Sequence, residues 1–159
     1  MIREARESDA EAIALIYNDY VLNSTITFEE KKVNERIILE RINFSKKHQW
    51  LVYEKEGVIL GYAFSTKWKT RSAYRFTVES SVYIIPQQQK KGIGTALYKR
   101  LIELLTKKGF RRILAGIPLP NDQSVYFHEK LGFKKVGQLE EVGFKFKRWI
   151  DVGYWELKI

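Results

Sequence analysis

The apolar positions of this 159-residue chain follow two rhythms, and their order along the chain sketches a fold. Alternation of apolar and polar positions, the mark of a strand with one buried face, runs over 50–54, 58–66 and 77–85. Helical spacing takes over at 94–108, where Leu97, Leu101, Leu104 and Leu105 form one stripe. Lys55-Glu56-Gly57 reads as a hairpin turn, Pro86 stops the third strand, and Gly109 closes the helix. Upstream, 2–6 reads as a short strand. Ser8-Asp9-Ala10-Glu11 has capping-box spacing and opens a helix with Ile13, Ile16, Tyr17 and Tyr20 on one side. Residues 23–28 are a polar loop, and 33–42 carry a second, partly periodic helix. Downstream come a strand over 112–117, a break at Pro118-Leu119-Pro120-Asn121-Asp122, and a short helix over 124–131 ending at Gly132. Two strands within 133–159, carrying Trp149 and Trp155, complete the pattern as a hairpin. Only the middle strands alternate with helices, so the order predicts a mixed α/β layer of the α+β kind rather than a doubly wound sheet. No repeat or linker interrupts residues 1–159, which read as a single domain.

Composition narrows the chemistry. With no cysteine, disulfides, thiolate metal sites and a thiol nucleophile are excluded. Two histidines are too few for an imidazole metal cluster, so no metal is expected. The charged start lacks a signal-peptide apolar region, and no apolar run approaches the ~18 residues of a membrane span. A cytoplasmic protein without a membrane partner is the expectation. The net charge of +9 asks for an anionic partner. Its lysines are scattered in pairs (31–32, 46–47, 90–91, 107–108, 134–135), which suits a solvated surface plus an anionic cofactor. A basic RNA-binding module is the alternative from another class; it would bind with a steep salt dependence and has no need of the glycine turn described next.

Gln89-Lys90-Lys91-Gly92-Ile93-Gly94-Thr95 sits between a strand pattern and a helix pattern. Glycines one residue apart let the backbone bare its N–H groups. With the positive end of the following helix and two lysines, they suit a pyrophosphate. Taken alone, the same residues also fit an ordinary tight turn between strand and helix.

Strand, Gln-x-x-Gly-x-Gly turn and helix, then a strand ending at Asn121 and a short helix running into Glu129-Lys130-Leu131-Gly132-Phe133, resemble the GNAT superfamily of acetyl-CoA-dependent N-acetyltransferases. Tyr17-Asn18-Asp19-Tyr20, Thr25-Ile26-Thr27-Phe28-Glu29, Val78-Glu79-Ser80-Ser81-Val82-Tyr83 and Asp151-Val152-Gly153-Tyr154-Trp155 are similar to its phosphinothricin N-acetyltransferase branch. The resemblance covers nearly the whole chain. It implies a central mixed, mostly antiparallel sheet flanked by helices, with acetyl-CoA as cosubstrate.

The resemblance further implies that Gln89, Lys90, Lys91, Gly92, Ile93, Gly94 and Thr95 wrap the coenzyme A pyrophosphate. Backbone groups along Val82, Tyr83 and Ile84 would pair with pantetheine, joined by Asn121 and Ser124, although helix capping alone explains Asn121. Glu79, on the strand face opposite Val78, Val82 and Ile84, is the candidate general base for an incoming ammonium; a structural ion pair with Arg71 or Arg75 is its alternative. His128 stands where the wider superfamily has a tyrosine and would protonate the leaving thiolate as an imidazolium, facing one groove with Asn121; a surface histidine without a role is the alternative. Lys69, Arg71 and Tyr74, with Trp68, resemble an acceptor-binding loop, and Phe28 a lid over it; an exposed basic connection is the plainer reading. The acceptor implied is a small amino acid or analogue such as phosphinothricin, methionine sulfoximine or methionine sulfone, with a protein or peptide amine as the alternative. Family members are commonly homodimers, and the aromatic tail over 144–155 reads as core packing that could also line a subunit contact.

Overall fold

The computed structural model describes residues 1–44 and 47–159; Lys46, counted above among the lysine pairs, lies outside them. Its strands are β1 (Ile2–Glu4), β2 (Trp50–Lys55), β3 (Val58–Lys67), β4 (Thr77–Ile84), β5 (Arg112–Leu119), β6 (Lys134–Lys145) and β7 (Arg148–Lys158), and its helices α1 (Ala10–Asn23), α2 (Glu35–Asn43), α3 (Ile93–Lys107) and α4 (Asp122–Lys130). The strands form one seven-stranded sheet in the order β1-β2-β3-β4-β5-β7-β6. Every neighbouring pair is antiparallel except β4 with β5. Among the described residues no helix is long and apolar enough to cross a membrane.

The period-two alternation divides side chains between two cores. Val78, Ile113, Ala115, Ile117 and Trp155 face one layer, where the α3 stripe Leu97, Leu101 and Leu105 is fully buried. Val52, Tyr62 and Tyr83 face the other, against Ile13, Tyr17, Tyr20 and Val21 of α1 and Ile38 of α2. Tyr83 belongs wholly to this second core, edge-on to Tyr17 and Tyr20 at 5.1 Å.

Several local expectations change. The Ser8–Glu11 capping box is not made. Instead the Asp9 carboxylate accepts the Arg6 backbone N–H at 2.7 Å and the two terminal guanidinium nitrogens of Arg3, at 2.6 and 2.9 Å. That guanidinium holds the Asp9 carboxyl below its usual range. Helix α2 starts after Asn34, whose side chain accepts from Ile37 N at 3.0 Å. Val33 is buried ahead of it, its backbone N–H and C=O both bonded to the Asn18 amide at 2.8 Å. Strand β5 runs through Pro118 to Leu119. A proline fits because β5 has lost its β4 neighbour there, so no ladder bond on that side is missed. The turn between β6 and β7 uses Phe146 and Lys147 at φ of 51° and 60°, a mirror-image turn that suits strand twist but shows no Asn-Gly signature. In the aromatic tail only Trp155 is core; Phe144, Phe146 and Trp149 are more than half exposed, since β6 borders only β7.

The parallel pairing of β4 with β5 ends at Glu79↔Leu114, while both strands continue. Beyond that point they splay apart, and the site lies in this opening.

Candidate active site

On the α3 face, the opening is a cleft of about 460 Å³ bordered by Val82 and Ile84 of β4, the turn before α3, and α4. Lys90 (φ 60°) and Gly92 (φ 82°) both adopt left-handed backbone, which curls the turn so that successive amides face one way. The first helical donor is Ala96 N–H, bonded to Gly92 O at 3.0 Å, so the amides from Gly92 to Thr95 are not spent inside α3. Gln89, Lys90, Gly92, Gly94 and Thr95 line this cleft, with Lys130 across it. Exposed amides, a helix N-terminus and two ammonium groups match a diphosphate.

Antiparallel alternation aims the odd-numbered residues of β4 at β3 and the even-numbered ones at the opening. Ile85 N bonds Leu60 O at 3.0 Å, in keeping with that alternation. Val82 and Ile84 therefore present backbone groups to the cleft. At Ile84 both groups are already taken by the Tyr20 hydroxyl, which donates to its C=O, accepts from its N–H at 3.3 Å, and accepts from Gln89 Nε2 at 2.9 Å. Val82 is left as the open peptide. Asn121 caps α4 by accepting from Ser124 N at 3.1 Å, and both residues line the cleft.

Three of the residues expected around the cofactor keep their side chains out of the cleft, which leaves the expected main-chain contacts of the turn as they were. The Tyr83 side chain lies in the opposite core and does not reach the cleft. Ile93 opens α3 with its side chain buried, leaving only its backbone for the turn. Lys91 points outward and donates to Gln88 Oε1 at 3.0 Å.

Glu79 occupies the vertex of the opening, with its side chain on the α1 face as strand parity predicts. Its partly buried carboxylate makes no hydrogen bond or ion pair among the described residues. The expected alternative, a pair with Arg71 or Arg75, is not formed: Arg75 stacks on Phe76 at 4.6 Å, and Arg71 is exposed and makes no ion pair among the described residues. Burial raises the Glu79 carboxyl above its ordinary value, and Lys69 draws it partly back. The carboxylate fits because β5 has Gly116 opposite; a Cβ there would stand 3.2 Å from Glu79 Oε1.

A second cavity of about 540 Å³ shares this face and is lined by Trp68, Lys69, Tyr74, Arg112, Leu114 and Tyr154 among others. Trp68 and Tyr74 meet edge-to-face at 5.2 Å, with the Lys69 ammonium over the indole at 5.2 Å. Arg71 does not line it, and Arg112, unforeseen from the sequence, does. Phe28 stands at the other end of the same face, its ring over Gly143 so closely that a Cβ there would overlap it.

The family model for the acetyltransferase (GNAT) domain matches residues 2–153. The chain belongs to this family. It is 40% identical over 156 residues to a phosphinothricin N-acetyltransferase of Streptomyces viridochromogenes, covering 98% of this chain and 85% of that one. A methionine sulfoximine/methionine sulfone acetyltransferase of Salmonella typhimurium is 36% identical over 160 residues, covering 99% and 94%. Among solved structures, a GNAT superfamily phosphinothricin acetyltransferase from Sinorhizobium meliloti in complex with acetyl-CoA superposes with a TM-score of 0.96 at 33% identity, covering 100% of this chain and 88% of that one.

His128 departs most from what the GNAT resemblance implied. Its ring is 5% exposed and does not line the cleft. Nδ1 lies 2.8 Å from Ser124 O, an acceptor only, so Nδ1 carries the proton. Nε2 then accepts from Tyr98 O–H at 3.0 Å, and Tyr98 accepts from Ser80 Oγ at 2.8 Å. Burial holds the His128 pKa below the usual imidazole value, with the Ser124 bond opposing it weakly. A neutral ring with both nitrogens occupied is not an imidazolium donor. The helical count explains the error: Asn121 is an N-cap with φ −154°, outside the helix, so spacing from it does not follow the helix face. The residues that do line the cleft from α4 are Ser124, Phe127 and Lys130, three apart, together with Gln123 and Tyr126. That spacing was the available signal. Tyr20 gave none, because it counted as one more member of an apolar stripe.

Tyr98→Phe would strip the donor from His128 Nε2 and leave Ser80 Oγ with only its long bond to Leu114 O at 3.4 Å. The expected loss is about 1–3 kcal/mol of stability, read by denaturant unfolding. Since a depressed imidazole stabilises the fold only while the unfolded chain is also neutral, wild-type stability should fall as pH drops below ~6.5. An unfolding midpoint unchanged in Tyr98→Phe would remove this chain of bonds from the fold's support.

Proposed function

We propose that residues 1–159 act as one acetyl-CoA-dependent N-acetyltransferase domain, with a small amino acid or analogue of the phosphinothricin, methionine sulfoximine or methionine sulfone kind as acceptor. The observation that carries this reading is Glu79: a carboxylate without a hydrogen-bond or ion-pair partner among the described residues, at the vertex where β4 and β5 part, within electrostatic reach of Lys69 and Tyr154, which line the second cavity. Family membership and the relatives' activities support the acetyl donor and the acceptor class.

In this reading the amides of Gly92 to Thr95, with Lys90 and Lys130, hold the diphosphate, and the Val82 peptide pairs with the pantetheine arm. The acceptor lies on the α1 face between Lys69, Tyr74 and Glu79, with Phe28 as its lid. An amine with a pKa near that of lysine, about 10.4, must lose a proton before it attacks. Glu79, raised by burial, takes that proton, directly or through one water. The amine nitrogen bonds the acetyl carbon and the carbon–sulfur bond breaks; the nitrogen sheds its second proton to solvent as the amide forms, and the thiolate leaves into the open mouth of the cleft, where solvent returns a proton to it. Attack is direct, because the chain has no cysteine and His128 is committed to Tyr98 and Ser124. Self-association into a homodimer is supported by the exposed Val142, Phe144, Phe146 and Trp149 around the β6–β7 turn.

The test is thiol release from acetyl-CoA across a panel of amines. Phosphinothricin, methionine sulfoximine or methionine sulfone should release thiol well above the amine-free rate, and faster than peptide N-termini do. Peptides as the faster acceptors would transfer the reading to protein acetylation, and no release with any amine would end it.

A further inference from the structure

The most deeply buried charge among the described residues lies outside this machinery. Lys145, near the end of β6, is 1% exposed on a strand whose residues 134–142 are all exposed. Lysine is almost never fully buried without a partner. Here the ammonium donates to Thr27 O at 2.8 Å, across 118 positions of sequence, in the connection between α1 and α2. Burial depresses its pKa, while Glu30 and Glu29 oppose that.

The segment it holds touches both halves of the site. Ile26 lines the cleft, and Phe28 lies on Gly143. Gly143 pairs with Ile150, and Ile150, Val152 and Tyr154 alternate onto the face that carries Glu79. Lys145 follows Gly143 by two, so its side chain rises on that face as well. On its α1 side the segment is pinned by Thr27 Oγ to Tyr17 Oη at 2.6 Å, Tyr17 to Glu29 at 3.0 Å, and Arg41 to Glu29 at 2.6 Å. Among the described residues, no hydrogen bond other than Lys145 Nζ to Thr27 O joins residues 24–33 to the β6–β7 hairpin.

We propose that Lys145 is a positioning residue for the acceptor: by tying the 24–33 connection to the β6–β7 hairpin, it holds Phe28 over the Glu79 face. This rests on the acetyltransferase reading for what Phe28 covers, whereas the tie itself is a property of the fold. A charge-assisted bond to a carbonyl in a site closed to water fixes the segment more firmly than a neutral one would.

Lys145→Met keeps the apolar stem and removes the donor. Because it also removes a buried charge, the variant should fold with a Tm near that of wild type; Lys145→Gln serves the same purpose if it does not. Amide hydrogen exchange across residues 25–30 should quicken by at least ~10-fold while α3 amides stay unchanged. The acceptor KM should rise at least ~10-fold with kcat within about threefold, and Phe28→Ala should do the same. In the double variant the two effects should not add, since both act through one lid. Unchanged exchange over 25–30 overturns the tie. Additive effects, or a fall in Tm with the acceptor KM unmoved, overturn the positioning role. If wild type acetylates no amine, the functional reading fails, and exchange in Lys145→Met still decides the tie.

Discussion

Glu79→Gln is expected to lower kcat by at least ~10²-fold at neutral pH, with the acetyl-CoA dissociation constant held within about twofold. Glutamine keeps the shape of the side chain and its place opposite Gly116, so the change isolates the ability to accept a proton. The carboxylate has no structural bond to lose. Its pKa is raised because burial disfavours the ion, so the folded chain gains from keeping it protonated; that gain is lost as pH rises through the folded pKa. At pH 7 the Gln variant should therefore be at least as stable as wild type, which separates catalytic loss from unfolding. The acid limb of kcat/KM should lie above the ordinary carboxylate range of about 4.3 and vanish in the variant. Rates by thiol release and affinity by calorimetry measure both sides. A wild-type rate in Glu79→Gln would take the residue out of the mechanism.

Leu101→Ala is expected to cost about 2–5 kcal/mol of stability, the range for deleting a fully buried leucine whose cavity the surroundings only partly fill. Leu101 is 0% exposed in the centre of the α3 stripe, in the same core as Val78, Ile113 and Trp155. For a chain of this size the fall in Tm should be about 4–20 °C by calorimetry. A fall below ~2 °C would mean that α3 can shift to close the gap.

Much of this arrangement was legible before any coordinates. The α3 stripe, the β2–β3 hairpin and the face of β4 that bears Glu79 all follow from periodicity, because burial on one side imposes it. The parting of β4 from β5 was not legible. It depends on where pairing stops, and Ser80 to Ile84 read as strand whether or not a neighbour is present. His128 was misplaced because a cap residue does not obey helix spacing. Nothing in the sequence marks Lys145 for burial, since burial of its ammonium depends on a carbonyl 118 positions away. Tyr20 was right as core and incomplete as chemistry: its ring packs where the stripe predicts, and its hydroxyl closes the Ile84 peptide. Arg71 was expected at the second cavity and does not line it for a related reason, as the direction of a loop side chain has no period to betray it.

The outer rim of the sheet has a consequence for handling the protein. β6 slips register at Lys135/Gly137 and again at Leu139/Gly143, and Glu141 takes φ 49° in the second slip. Lys134, Lys135, Glu140 and Glu141 add charge along the same border. An uneven, charged selvedge offers no continuous template on which a stray chain could zip, and β1 at the opposite rim is only three residues long. Both rims are thereby poor templates for fibril growth.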